Sequence, residues 1–161
     1  MNDTTQQTSR HWSFLKEGDT SFGLFYPLHY TLAGFLDAEQ AQTALDRLAD
    51  SGFSTDDIHV VSGSQLIATI EEIEDSNGWL DRVRSRIADF LGTETYFIDQ
   101  DLTLARQGGV FLLAYTPDEE SAKAVQGVLE GTGPVYARRY LRMAIDRIID
   151  PDSTDDVSMR E

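Results

Sequence analysis

Two stretches of the chain repeat each other at an offset of 81 residues, and this repeat limits the available folds more than any other feature. Leu32 matches Leu113, Asp37 matches Asp118, Ala41 matches Ala122, Leu48 matches Leu129 and Gly52 matches Gly133. Each copy reads as strand, capped helix, glycine, strand. A right-handed βαβ crossover sets its two strands side by side or with one strand between them. Two interleaved copies then give a four-stranded antiparallel sheet with both crossover helices on one face. The expected fold is α+β, a ferredoxin-like βαβ-(helical insert)-βαβ sandwich.

Local signals fill in this frame. Tyr30 to Leu36 is a nearly continuous apolar run suited to a central strand, and Asp37 with Gln40 three residues on has capping-box spacing. Ala41, Ala44, Leu45, Leu48 and Ala49 recur at helical spacing until Gly52, with Phe53 as the apolar contact beyond the helix end. Ile58 to Val61 is the next strand, and Val110 to Tyr115 the third. Thr116 to Glu119 then supply an N-cap, a proline at the first helical position and an acid at the third. Ala122, Val125, Val128 and Leu129 mark the buried face of that helix, and Val135 to Met143 forms the last strand.

Between the halves lies an insert, residues 64–107, with three helical patterns. Leu66, Ile67, Ile70 and Ile73 mark the first, Trp79 to Leu91 the second, and Phe97, Ile98, Leu102 and Ala105 the third. Their apolar faces require burial, either on the open face of the sheet or on a partner. Residues 1–20 read as a flexible N-terminal tail, 21–150 as a single domain, and 151–161 as a disordered acidic C-terminal tail.

Composition removes several function classes. The net charge of −15 comes from 28 acidic residues against 13 basic ones, and such a surface repels phosphate backbones. Nucleic acid is therefore not an expected partner, whereas a basic protein is compatible with the charge. No apolar run approaches the roughly 20 residues of a membrane helix, and no signal peptide opens the chain, so a cytoplasmic location without membrane contact is expected. The absence of cysteine leaves neither a disulfide framework nor a thiolate site. Glu71, Glu72, Glu74 and Asp75 lack calcium-loop spacing, and the histidines lack metal-ligand spacing. No metal, cofactor or catalytic residue is assigned.

Tyr26-Pro27, the Asp37–Ala41 helix start, Gly52-Phe53, Asp57-Ile58, and Gly108-Gly109-Val110 through Gly133-Pro134 together carry a likeness. Over roughly residues 26 to 145 the chain resembles the bacterial heat-induced general stress protein domain and related ferredoxin-like bacterial proteins. That resemblance implies a stress-associated role and brings no catalytic residues with it.

Strict alternation in the last strand places Tyr136, Arg138, Tyr140 and Arg142 on one face, and Val135, Ala137, Leu141 and Met143 on the other, toward the helices. Phenolic hydroxyls and guanidinium forks so arranged suit an anionic or aromatic ligand. Equally, insert helices could cover that face and pair their Asp and Glu side chains with the arginines. His29 and His59, at or in the first two strands, are candidates for the same face. The expected function is a non-catalytic stress-associated or regulatory binding module acting as a homo-oligomer. Two alternatives stay open: a small anionic-ligand sensor using the Tyr/Arg stripe, and a small enzyme of the dimeric α+β barrel type.

Overall fold

The computed structural model describes Lys16, residues 27–68 and residues 92–151 apart from Met143. The remaining residues of the expected tails, most of the first insert helix, all of the second and the Glu71–Asp75 cluster lie outside the described residues. In chain order the elements are β1 (Tyr30–Phe35), α1 (Ala38–Asp50), β2 (Ile58–Ser62), α2 (Gly92–Arg106), β3 (Val110–Tyr115), α3 (Glu119–Glu130), β4 (Tyr136–Tyr140) and β5 (Ile145–Ile149). Residues 63–68, directly after β2, are also helical.

The strands form one antiparallel sheet in the order β2-β3-β1-β4-β5. β1 is the middle strand, pairing Tyr30 with Tyr115 on one side and Ala33 with Ala137 on the other. All six of its residues are buried, so both of its faces are covered. The sheet has five strands where four are expected. The stretch expected as one strand from Val135 to Met143 turns after Tyr140, where the Leu141 N–H donates to the Ala144 carbonyl at 2.8 Å. The chain then returns as β5, with Tyr140 opposite Ile145 and Arg138 opposite Arg147. Ile145, Ile148 and Ile149 give that return the β-branched character a strand favours.

Apolar side chains alternate between the two faces of the sheet. Ala33, Phe35, Ile58, Leu112, Ala114 and Ala137 meet Ala41, Ala44 and Leu48 of α1 and Val125 and Leu129 of α3. Tyr30, Leu32, Val61, Phe111, Leu113, Tyr136 and Tyr140 meet Leu104 and Ala105 of α2 and Leu66 of the 63–68 turn. The crossover helices thus share one face, and part of the insert covers the other. Val135 departs from its expected side, packing with the second of these groups rather than against the crossover helices. It precedes β4, which starts at Tyr136, so the alternation of the strand does not extend to it.

The repeated halves carry matched punctuation. Gly52 and Gly133 both have positive φ, 103° and 75°, where a side chain would strain the backbone. After Gly52 the Phe53 N–H returns to the Leu48 carbonyl at 3.1 Å, closing the end of α1. Asp37 caps α1 through the Glu39 N–H at 2.8 Å, and the reciprocal capping box forms instead at α3, between Asp118 and Ser121. Asp118, not Thr116, is therefore the N-cap of α3. Thr116 is fully buried, its hydroxyl 2.9 Å from that of Thr31 and 3.0 Å from the His29 carbonyl it donates to.

Close packing beneath α2 depends on Gly34, where an added Cβ would lie 2.5 Å from Leu104 Cδ2 and 2.8 Å from Tyr136 Cζ. Gly34→Val is expected to cost about 1–3 kcal/mol or more in urea unfolding. Gly127→Ala, inside α3 with nothing within 4 Å of the new methyl, is expected to gain about 0.5–1 kcal/mol in the same assay.

The Ser121 backbone N–H and hydroxyl hold the Asp118 carboxyl below the usual carboxylate value of 3.8. Because the folded pKa is the lower one, this stabilisation is present above pH 3.8 and is lost as pH falls through the folded value. Asp118→Asn keeps an acceptor without the charge. Its melting temperature should lie below the parent's near neutrality, and the gap should close at acid pH.

Candidate functional site

α2 lies across one face of the sheet with Phe97, Asp101, Leu104 and Ala105 buried. These positions follow helical spacing, so Asp101 occupies the stripe that otherwise makes hydrophobic contact. It meets Arg138 of β4, whose side chain is nearly completely enclosed at 2% exposure. The guanidinium grips the carboxylate with both ends: Nη2 to Oδ1 at 2.5 Å and Nη1 to Oδ2 at 3.1 Å. The Tyr136 hydroxyl donates to Oδ1 at 2.5 Å. Arg138 also donates to the Tyr140 hydroxyl at 2.8 Å and to Gln100 Oε1 at 3.2 Å.

Aromatic rings close the remaining sides. The Arg138 guanidinium lies 4.5 Å from the Phe97 ring centre and 4.7 Å from that of Tyr136, distances at which the ring faces attract a cation. Arg147, opposite Arg138 on β5, comes within 5.4 Å of Phe97 and pairs with Asp150 at 2.9 Å. The space bordering Phe97, Arg138 and Arg147 amounts to about 10 Å³. That is room for about one water.

Electrostatics fix the roles within this cluster. Burial pushes the Tyr136 phenol up from its ordinary value, and the Asp101 charge adds to the rise, so the hydroxyl serves as a donor. Burial works against the charge on Arg138, but Tyr140 and Asp101 outweigh it and hold the guanidinium protonated. Burial also pushes Asp101 up from the usual carboxylate range, against the pull of Arg138 and Tyr136. Three donated hydrogen bonds converge on the carboxylate, as compensation for burying a charge requires.

The structure brings Tyr136, Arg138 and Tyr140 together and separates the other candidates from them. Arg142 is exposed in the turn after β4. His59 lies on β2, three strands from β4 in the sheet order. At roughly 4.8 Å per strand that is about 14 Å away. Its Nε2 sits 2.9 Å from the Asp56 carbonyl. His29 acts through its backbone. Its φ is 64°, its N–H donates to the Tyr140 carbonyl at 2.7 Å, and its carbonyl accepts from the Thr116 N–H at 2.8 Å. It thereby ties the start of β1 to the end of β4 and to the loop before α3.

Sequence reasoning overlooked Arg139, which is buried on the crossover-helix face with Ala137. It donates to Glu119 at 2.8 Å and to the Thr116 carbonyl at 3.0 Å, while its Nε has no hydrogen bond. Asp101 has one signal in the sequence: an acid four residues after Phe97 and four before Ala105 interrupts the apolar stripe. Among the described residues no group of three His, Asp or Glu side chains is placed to hold a metal ion, and no helix is long and apolar enough to cross a membrane. The chain matches no family profile, no curated protein and no solved structure.

Removing one member of a buried ion pair strands the other charge, at a cost of about 3–5 kcal/mol. Asp101→Leu and Arg138→Met are each expected to destabilise on that scale, while the double variant loses far less than the sum. Urea unfolding of all four proteins in a double-mutant cycle measures the coupling.

Proposed function

We propose that the chain is a non-catalytic binding module of ferredoxin-like plan that acts as a homo-oligomer, as a stress-associated or regulatory component. The single observation that carries this reading is the enclosure of Arg138. The guanidinium already has Asp101, Gln100 and Tyr140 as partners, and the adjoining space accommodates about one water. A side chain engaged in this way contributes to the fit of α2 on the sheet, and among the described residues the space beside it is too small for a metabolite. The ferredoxin-like plan is supported by the order β2-β3-β1-β4, which interleaves the two halves, and by the shared face of α1 and α3; β5 extends it at one edge.

The barrel-type enzyme reading needs an open sheet face over which a second sheet can close. α2 occupies that face with Phe97, Leu104 and Ala105. The sensor reading keeps one specific support, the second guanidinium at Arg147, which is half exposed beside Phe97.

A thermal-shift screen against anionic metabolites, nucleotides and metals, combined with light scattering of the full chain, separates these readings. A ligand at 100 times its Kd adds about 2.7 kcal/mol, a readily measured rise in Tm. The expected result is a mass above one chain and no ligand whose shift disappears in Arg147→Ala or Tyr140→Phe. A shift abolished by those substitutions would establish the sensor instead, and a monomer at every concentration would overturn the association reading.

A further inference from the structure

The two edges of the sheet are built differently. β5 carries Asp146 and Arg147, is itself bulged at Ile148 and is followed by Pro151, all devices that discourage another strand from adding to an edge. β2 carries none of them. Its sequence, Ile58-His59-Val60-Val61-Ser62, has no Asp, Glu, Lys, Arg or Pro, and Val60 at its centre is 37% exposed.

Hydrogen-bond parity fixes what this edge presents. The Asp57 carbonyl accepts from the Tyr115 N–H, and the Gly63 N–H donates to the Gly109 carbonyl, in the same register that opposes Ile58 to Ala114. Odd-numbered residues therefore bond inward to β3, and Ile58, Val60 and Ser62 direct their N–H and C=O groups outward. The Ser62 N–H is held by Gln65 Oε1 at 3.1 Å. The outward groups of Ile58 and Val60 have no such partner among the described residues.

We infer that β2 is a homodimerisation edge, at which a second copy of the chain adds its own β2 antiparallel about a two-fold axis at Val60. This rests on the association reading and names its surface. In that register Val60 meets Val60 and exchanges both main-chain bonds, while the Ile58 N–H reaches the partner subunit's Ser62 carbonyl. A two-fold axis through a residue that bonds outward keeps every opposed pair on one face, as a continuous sheet requires. The register also avoids opposing like charges. Asp56 and Asp57 precede β2 and the helical residues 63–68 follow it, so in an antiparallel pair the aspartates of the two copies lie at opposite ends of the contact and do not meet each other. For two bodies of net charge −15, an uncharged strip joined by backbone bonds is a fitting contact.

Sedimentation equilibrium of the full chain over a concentration series tests the pairing. The parent should be dimeric, and more tightly so at about 0.5 M than at about 0.1 M salt, because screening weakens repulsion between the acidic bodies and β2 itself carries no Asp, Glu, Lys or Arg. Val60→Pro removes an outward donor that the monomer does not use, and Val60→Lys places a charge on the edge. Each should weaken dimerisation at least tenfold with the circular dichroism spectrum unchanged, whereas Leu36→Lys, at an exposed position outside the strands, should not. Val60→Cys supplies a lone thiol in a cysteine-free chain, and a short bismaleimide should link two copies through it but not through Leu36→Cys. An oligomer that survives both Val60 substitutions and resists linking at position 60 overturns the β2 edge while leaving the association reading intact. A monomeric parent overturns both.

Discussion

The buried ion pair between Asp101 and Arg138 is the constraint around which the insert-side half of the structure is arranged. An unpaired guanidinium in that position would be severely penalised by loss of hydration. The pair sets the rotation of α2 about its axis, because it turns Asp101 onto the sheet and leaves Asp99, two residues earlier, exposed. It also sets the height of α2 over the sheet, since both ends of the guanidinium fork must reach Asp101 while Leu104 sits against Gly34. A wholly apolar contact of the same size could slide. A bidentate contact with a phenol bound to the same oxygen has one geometry.

The opposite face solves a different problem with different means. There the helices present small and medium apolar groups, Ala41, Ala44 and Val125 among them, and close approach supplies the fit. Arg139 enters this layer from the sheet and leaves it at the edge of the core, where its guanidinium reaches Glu119 and the Thr116 carbonyl. Neighbouring arginines on one strand are thus treated in opposite ways. Arg138 is sealed with a buried acid, while Arg139 runs its stem through the core toward an acid in solvent.

Much of the α+β architecture was legible because punctuation and periodicity agreed. The repeat from Leu32 to Gly52 and from Leu113 to Gly133 located both crossover helices, and the paired glycines that close it both have positive φ. What escaped was tertiary in origin. Thr116 followed by Pro117 reads locally as a helix cap, but its hydroxyl is committed to Thr31 and His29 across the sheet. The alternation through Val135 to Met143 reads as one long strand, and nothing local announces the turn at Leu141 as firmly as a glycine would. The Tyr136, Arg138 and Tyr140 grouping was visible from period-two spacing. Its partner Asp101 lies 37 residues away, and only the packing of α2 selects it from the many acids in the chain.

The central position of β1 has a consequence during synthesis. It is the earliest of the described strands and the one most dependent on neighbours, yet β3 begins at Val110, 75 residues after Phe35. At about 5–20 residues per second, several seconds pass before that neighbour is made, and β4 follows later still. α1 and β2 emerge in the interval, but β2 cannot lie directly beside β1, because the place between them belongs to β3. On the ribosome, β1 and β2 therefore precede the strand that separates them, and β3 must take its place between two segments already made.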